Sequence, residues 1–247
     1  MTESQVEYIN AFNAALEQLC VYRYVTRNSD LQRKASAELE DMLSSVTQEK
    51  AKAIAERDEH FANVLLGCEA LIRACNAELK MYLLLKEDKP DEAWTQLVIA
   101  QDGLSAAVRA DEGFADANRQ IQRLQGIERL IFPPQQFLST GWIVKGEVCS
   151  ICGADYEDCE HIKGRPYMGQ FCAVQLDPLE VDHVSLVDEP ASKHCRVTHI
   201  GPSGNRTNCL TLVVEQEMPK DESKVSVESG GQVYQGILAT APVTDKG

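Results

Sequence analysis

Proline and glycine are spread so unevenly along this chain that its fold must change character near residue 133. The first 132 of its 247 residues contain one proline, Pro90, and four glycines, whereas the remaining 115 contain eight prolines and eleven glycines. Helix breakers are thus scarce in one part and frequent in the other. The first part is dense in Ala, Leu, Glu, Gln and Lys, and its apolar residues recur at helical spacing, as in Val64, Leu65, Cys68, Leu71, Ile72, Cys75 and Leu79. These features predict an all-helical interaction domain over 1–132, with helices near 4–26, 30–58, 60–87, 90–110 and 114–131. Asn28-Ser29-Asp30 supplies a break and a cap. Pro90 followed by Asp91 and Glu92 puts a proline near the first helical position and acids in the first turn. The stretch 44–59 has few apolar residues and is expected to project into solvent or against a partner.

Beyond Pro134 the pattern changes to short β-like runs bounded by Gly, Pro, Asp and Asn: 137–144, 170–176, 181–187, 195–200 and 209–215, with further candidates at 224–227 and 232–238. Such runs predict a small sheet or partly closed β-barrel over 133–218, followed at 219–247 by a hairpin or a flexible tail. The expected fold class is therefore α+β, a helical domain followed by a small barrel-like one.

Lys and Arg number 24 against 38 Asp and Glu, a formal charge of −14, and the excess is shared. Residues 1–132 carry 22 acids and 15 bases; the remainder carries 16 and 9. Neither part offers the cationic surface that neutralises phosphates, so nucleic acid and anionic membranes are not expected as partners. The start, Met-Thr-Glu-Ser-Gln, lacks a basic and then apolar leader, and apolar runs such as Tyr82 to Leu85 are too short to span a bilayer. A cytoplasmic chain is expected. Nine cysteines, an odd number, are read as thiols and thiolates rather than as a disulfide framework.

The densest chemical signal is Cys149-Ser-Ile-Cys152, then six intervening residues and Cys159-Glu-His161. Four soft or borderline ligands within thirteen residues can close a tetrahedral site, and Gly153 allows the turn such a knuckle needs. Zn²⁺ is the expected ion, in a structural role, because four protein ligands leave no open position for water. Cys172 is the alternative fourth ligand in place of His161. Cys20, Cys68, Cys75, Cys195 and Cys209 read as small buried hydrophobes. The acids Asp155, Glu157, Asp158 and Glu160 read as a solvated rim around the metal loop.

Leu138-Ser139-Thr140-Gly141-Trp142, and some forty residues later Glu180-Val181-Asp182-His183-Val184-Ser185-Leu186-Val187-Asp188-Glu189-Pro190-Ala191, form two motifs in order. They resemble the S-x-G-aromatic and E-V-S-L-V-x-x-P-A strands of the tailed-phage prohead (capsid maturation) protease family. Some phage proteins of that kind are also similar in carrying a C-S-I-C-G…C-x-H insertion between the motifs. The resemblance covers about 137–200, a quarter of the chain. It implies a compact β-barrel, a nucleophile position at Ser139, and a core strand and exit turn formed by Ser185, Leu186, Val187, Pro190 and Ala191.

In that family a histidine upstream of the serine activates it. Here the upstream histidine is His60, inside a helical pattern, while His183, His194 and His199 follow the serine. A serine without a positioned base is a poor nucleophile. The expected function is accordingly a non-catalytic, zinc-binding assembly or adaptor protein, of the kind that serves phage or prophage head assembly through contacts with other proteins. Self-association is left open. The alternatives are a serine endopeptidase with Ser139 as nucleophile, and a sensor of viral assemblies in a bacterial defence system.

Overall fold

The computed structural model describes residues 1–202, 205–216, 224–229 and 232–238. Five helices precede a set of antiparallel strands: α1 (Glu3–Cys20), α2 (Ser29–Ala55), α3 (Glu59–Lys86), α4 (Pro90–Ala110) and α5 (Ala117–Ile131), with a short 3-10 turn at Glu112–Phe114. The helix starts follow local chemistry. Thr2 and Gln5 form a reciprocal capping box, the Asn28 side chain accepts from the Asp30 and Leu31 N–H groups, and Asp58 accepts from the Phe61 N–H. Pro90 opens α4 with Asp91 and Glu92 in its first turn.

The first helix stops at Cys20, six residues short of the expected end. Residues 21–25 are Val-Tyr-Arg-Tyr-Val, a β-branched and aromatic run that loses side-chain freedom in a helix. The amide of Gln32, buried on α2, donates to the carbonyls of Tyr22 and Tyr24, giving the freed backbone partners outside a helix. The stretch 44–59 is mostly exposed, as its composition suggests, while Val46 and Ala53 on its inner face are buried in the core that α1, α2 and α3 share.

Helix α3 is the centre of the helical unit, packed on one side by α2 and on another by α4. Leu65, Ile72, Leu79 and Met81 are fully buried along it. Gly103 on α4 lets the two backbones approach, since a Cβ there would meet the Ala70 carbonyl oxygen and the Ala74 Cβ at 3.0 Å. Trp94 on α4 is buried as well.

The strands are β1 (Phe137–Cys149), β2 (Pro166–Tyr167), β3 (Gln170–Phe171), β4 (Val174–Val187), β5 (Val197–Gly201), β6 (Asn205–Asn208), β7 (Val214–Gln216), β8 (Lys224–Ser229) and β9 (Gln232–Ile237). β1 pairs with β4, β2 with β3, and the other five form an antiparallel sheet in the order β7-β6-β5-β9-β8. No closed barrel exists among the described residues, which corrects that expectation. In the five-stranded sheet β7 and β8 each have a neighbour on one side, and closure would require them to meet. β8 and β9 are a hairpin, and β9 lies between β8 and β5. Residues 219–223, 230–231 and 239–247 lie outside the described residues.

Two further expectations change. Cys209 sits in a turn rather than a strand, and of the strand-like run 209–215 residues 209–213 form the loop between β6 and β7, with Leu212 at φ 59°, while 214–215 begin β7. The strand implied to be core, around Leu186, is instead half open to solvent: Leu186 is 41% exposed and Ala191 is exposed. β4 has only β1 beside it in its sheet. The buried strand is β5, where Val197 is fully buried and Thr198 and His199 nearly so. The start of β1 joins β5 through Leu138 N–H to the Cys195 carbonyl (2.7 Å) and Val197 N–H to the Gln136 carbonyl (2.8 Å). Leu138 packs where a Cβ on Gly236 would stand.

The chain divides into two compact units. One holds residues 1–128 with 149–153 and 158–173; the other holds 129–148, 154–157 and 174 onward. The Cys149–Gly153 and Asp158–Ala173 segments therefore group with the helices, not with the strands that flank them in sequence.

Candidate metal centre

Cys149 ends β1 and Cys152 follows in the turn after it; Gly153, at φ +71°, turns the chain in the left-handed region its missing side chain permits. The turn is closed by Gly153 N–H to the Cys149 carbonyl (2.9 Å), while the Ile151 N–H points at Cys149 Sγ (3.4 Å). Cys159 and His161 return on the far side of the loop. The ligand atoms of Cys149, Cys152, Cys159 and His161 all lie within 4.8 Å of one another, so these four residues could hold a metal ion.

The geometry fits such an ion. A tetrahedral zinc with Zn–S near 2.3 Å and Zn–N near 2.0 Å separates its ligands by roughly 3.3–3.8 Å, so a slight contraction completes the shell. Nδ1 of His161 is buried and has no hydrogen-bond partner, an orphaned acceptor or donor of the sort folded proteins avoid. A metal bond at that nitrogen would satisfy it. The imidazole is held edge-on against Tyr167, ring centroids 4.7 Å apart, and the Tyr167 hydroxyl accepts from the Ile162 N–H at 3.0 Å.

The thiols are electrostatically unequal. Burial pushes the Cys149 pKa up, but the N–H groups of Cys152 and Ile151 and the neighbouring thiols outweigh it and bring the group down to about 6. Cys159 is raised, by burial and then by Cys149 beside it. Cys172 is buried, with its Sγ 3.8 Å from that of Cys149, and burial together with Cys149 lifts it to about 11. Cys172 thus stands behind one ligand of the cluster. The acids of the loop, Asp155, Glu157, Asp158 and Glu160, are all exposed, in keeping with solvated side chains.

Below the cluster, β2 and β3 form a minimal hairpin turning at Met168 (φ 46°) and Gly169 (φ 75°). Its tip is seated on the helices. The Gly169 N–H donates to Asn63 Oδ1 on α3 (2.8 Å), and a Cβ on Gly169 would come within 3.1 Å of the Lys50 chain on α2. Arg109 on α4 lies over the Phe171 ring at 5.4 Å, close enough for a cation–π contact. Three helices hold the loop that carries the four candidate ligands. Asn63, Lys50 and Arg109 were not read from the sequence as parts of the site. They lie far from residues 149–172 along the chain, and no local spacing connects them.

Ser139 lies on β1, half-buried. The expected histidines are dispersed. His60 Nδ1 is 3.9 Å from Asp111 on the helical unit, and His199 is buried between Thr198, Asn208 and Glu215. His194 lies in the turn before β5. His183 differs. On β4, the neighbour of β1, its imidazole occupies the space where a Gly141 Cβ would be, and its Nδ1 is 3.0 Å from Asp182 Oδ2. Gly141 is two residues from Ser139, on the same strand face.

No protein-family model, curated protein or solved structure matches the chain significantly. Among the described residues no helix is long and apolar enough to cross a membrane.

Proposed function

We propose that this is a zinc-binding, non-catalytic assembly or adaptor protein in which the metal fixes a finger on a helical body. The observation that carries the reading is the convergence of Cys149, Cys152, Cys159 and His161 on a loop seated on α2, α3 and α4. A bound Zn²⁺ would supply folding energy and no open coordination position, so its chemistry there is structural. The chain's own residues do the rest. The Ile151 N–H stabilises the Cys149 thiolate, Tyr167 orients His161, and Asn63 anchors the hairpin tip. The resemblance to prohead proteases around Ser139 and Glu180–Ala191 suggests a phage or prophage head as the setting, with other assembly proteins as partners.

A second reading, a serine endopeptidase, is favoured by one observation: His183, paired with Asp182, packs over Gly141, two residues along β1 from Ser139. One experiment separates the two. The full chain, purified with its metal, is treated with a fluorophosphonate and mapped by mass spectrometry. The adaptor reading expects about one zinc per chain by elemental analysis and no adduct. A fluorophosphonate adduct on Ser139, lost in Ser139→Ala or His183→Ala, would establish the enzyme instead.

A further inference from the structure

Away from the metal centre, the helical unit contains a cavity of about 630 Å³ with apolar walls from Ile9, Leu16, Val64, Leu71 and Phe114. Two cysteines from different helices border it. Cys20 closes α1 and Cys75 lies in the middle of α3, and their sulfurs are 3.8 Å apart. Fifty-five residues of chain separate them. Nη1 of Arg23 lies 3.4 Å from Cys75 Sγ and 3.4 Å from Glu78 Oε2. Nε of Arg23 is buried and has no hydrogen-bond partner among the described residues, although a guanidinium normally satisfies its donors. The site therefore combines a thiol pair, a cation and a free buried N–H at the wall of a space large enough to admit a small molecule.

We propose that Cys20 and Cys75 are a modification site for small hydroperoxides, which reach them through this cavity and convert them to a disulfide tying α1 to α3.

The chemistry needs hydrogen peroxide or an alkyl hydroperoxide and nothing further. The Cys20 thiolate attacks the peroxide oxygen; an S–O bond forms, the O–O bond breaks, and the departing oxygen takes up the proton the thiol had released and leaves as water or alcohol. Sulfur is oxidised to the sulfenic acid while the peroxide is reduced. Cys75 then attacks the Cys20 sulfur; the S–S bond forms, the S–O bond breaks, and a second water carries away the Cys75 proton. The two thiols suit these unequal roles. Cys20, half-exposed, receives the hydrogen bond of Cys75 and is brought down to about 7 against the cost of burial, with Arg23 adding to the effect. The same hydrogen bond and burial push Cys75 well up, so it stays protonated until called on by the neighbouring sulfur. Cys68, which also borders the cavity, is pushed up to about 12 by burial and by Glu69, and would remain a bystander thiol.

The link would matter because α1 is lightly held. It makes far less contact with α2 and α3 than α3 makes with α2 or α4, and it forms one wall of the cavity. A covalent tie at Cys20 would fix its C-terminal end on α3.

The test uses the full-length protein with its metal bound, treated with a few equivalents of hydrogen peroxide, alkylated and mapped by mass spectrometry. The expected product is a Cys20–Cys75 disulfide, accompanied by an upward shift of the urea midpoint that is absent in Cys20→Ser. In Cys75→Ser the reaction should stop at a Cys20 sulfenic acid that dimedone traps. In Cys20→Ser the oxidation of Cys75 should be about tenfold slower or more than that of Cys20 in Cys75→Ser, because Cys75 is buried in α3 and burial disfavours its thiolate. The proposal is overturned if Cys20 and Cys75 both remain free while Cys152 or Cys159 is oxidised, or if either is oxidised without linking to the other. These readouts are independent of whether the metal loop serves assembly or catalysis.

Discussion

Glu78 on α3 accepts both terminal N–H groups of Arg123 on α5, at 2.7 and 2.5 Å, while it is itself 1% exposed. Arg23 approaches the same carboxylate at 3.4 Å and the Tyr82 hydroxyl donates to it at 3.1 Å. A charge so enclosed survives because each lone pair has a partner. Burial next to Glu78 correspondingly pushes the Tyr82 hydroxyl up to about 12. Arg123→Ala leaves the carboxylate with one distant cation and is expected to cost about 3 kcal/mol by urea denaturation. Glu78→Ala, which strands two guanidinium groups, should cost at least as much. A loss under about 1 kcal/mol in both variants would show that the pair is solvated.

Two helical glycines should respond to alanine with opposite sign. Gly126 on α5 has nothing within 4 Å of the point a Cβ would occupy, so Gly126→Ala gains helix propensity and should stabilise by about 0.5–1 kcal/mol. Gly103 on α4 lies where a methyl would press at 3.0 Å on the Ala70 carbonyl and the Ala74 Cβ. Gly103→Ala is therefore expected to destabilise by about 1–3 kcal/mol despite the same propensity gain, because α3 and α4 must separate. Thermal melts of the two variants side by side check the signs.

Removing the metal should loosen the finger and spare the helices. A strong chelator, or Cys149→Ser combined with Cys152→Ser, is expected to leave the helical circular dichroism largely intact while opening the loop to trypsin at Lys163, since Pro166 blocks cleavage after Arg165. Asn63→Ala, which removes the acceptor for Gly169 N–H, should raise the same cleavage rate without changing metal content, at a cost of about 1 kcal/mol. Equal trypsin sensitivity with and without metal would disconnect the cluster from the docking.

The pH dependence follows from the thiols. In the metal-free protein Cys149 is depressed to about 6 from an ordinary 9.0, so the folded state holds fewer protons than the unfolded state between those values. Its contribution to stability is fully present above about pH 9 and disappears as pH falls through about 6. Cys159, raised instead, is still protonated at neutral pH and must lose its proton to ligate. Metal uptake at about pH 7.5 should consequently release protons, measurable with an indicator dye in weak buffer, and affinity should fall steeply below about pH 6. Uptake with no proton release would mean that Cys159 is not a ligand.

Burial separates two apolar positions that look alike in sequence. Val197→Asp places an unpaired carboxylate at a fully buried point of β5 and should cost several kcal/mol or abolish folding. Leu186→Asp, at a residue 41% exposed on β4, should change stability by about 1 kcal/mol or less. Urea midpoints for the two variants give the comparison directly.

Features that depend on neighbours along the chain were legible in the order of its residues. Capping residues, Pro90 and the 3.6-residue stripes located five helices to within a few residues at most ends, and the knuckle spacing brought together Cys149, Cys152, Cys159 and His161, because each of these is set by geometry within a dozen positions. Where a local rule was overridden, as at residues 21–25, the deciding partner was Gln32, ten residues and a turn away. Which strands pair, which of them is covered, and what the finger rests on belong to the packing of the folded chain. β4 carries the more regular apolar alternation and β5, Val-Thr-His-Ile-Gly, the more polar sequence, yet β5 is buried between β6 and β9 while β4 pairs with β1 in a two-stranded sheet, a difference set by strand neighbours rather than by a period of two. Gly169 meets Asn63 across 106 residues, and Cys20 meets Cys75 across 55. Such pairings arise from the packing of whole helices, whose faces are legible in a sequence while their neighbours are not.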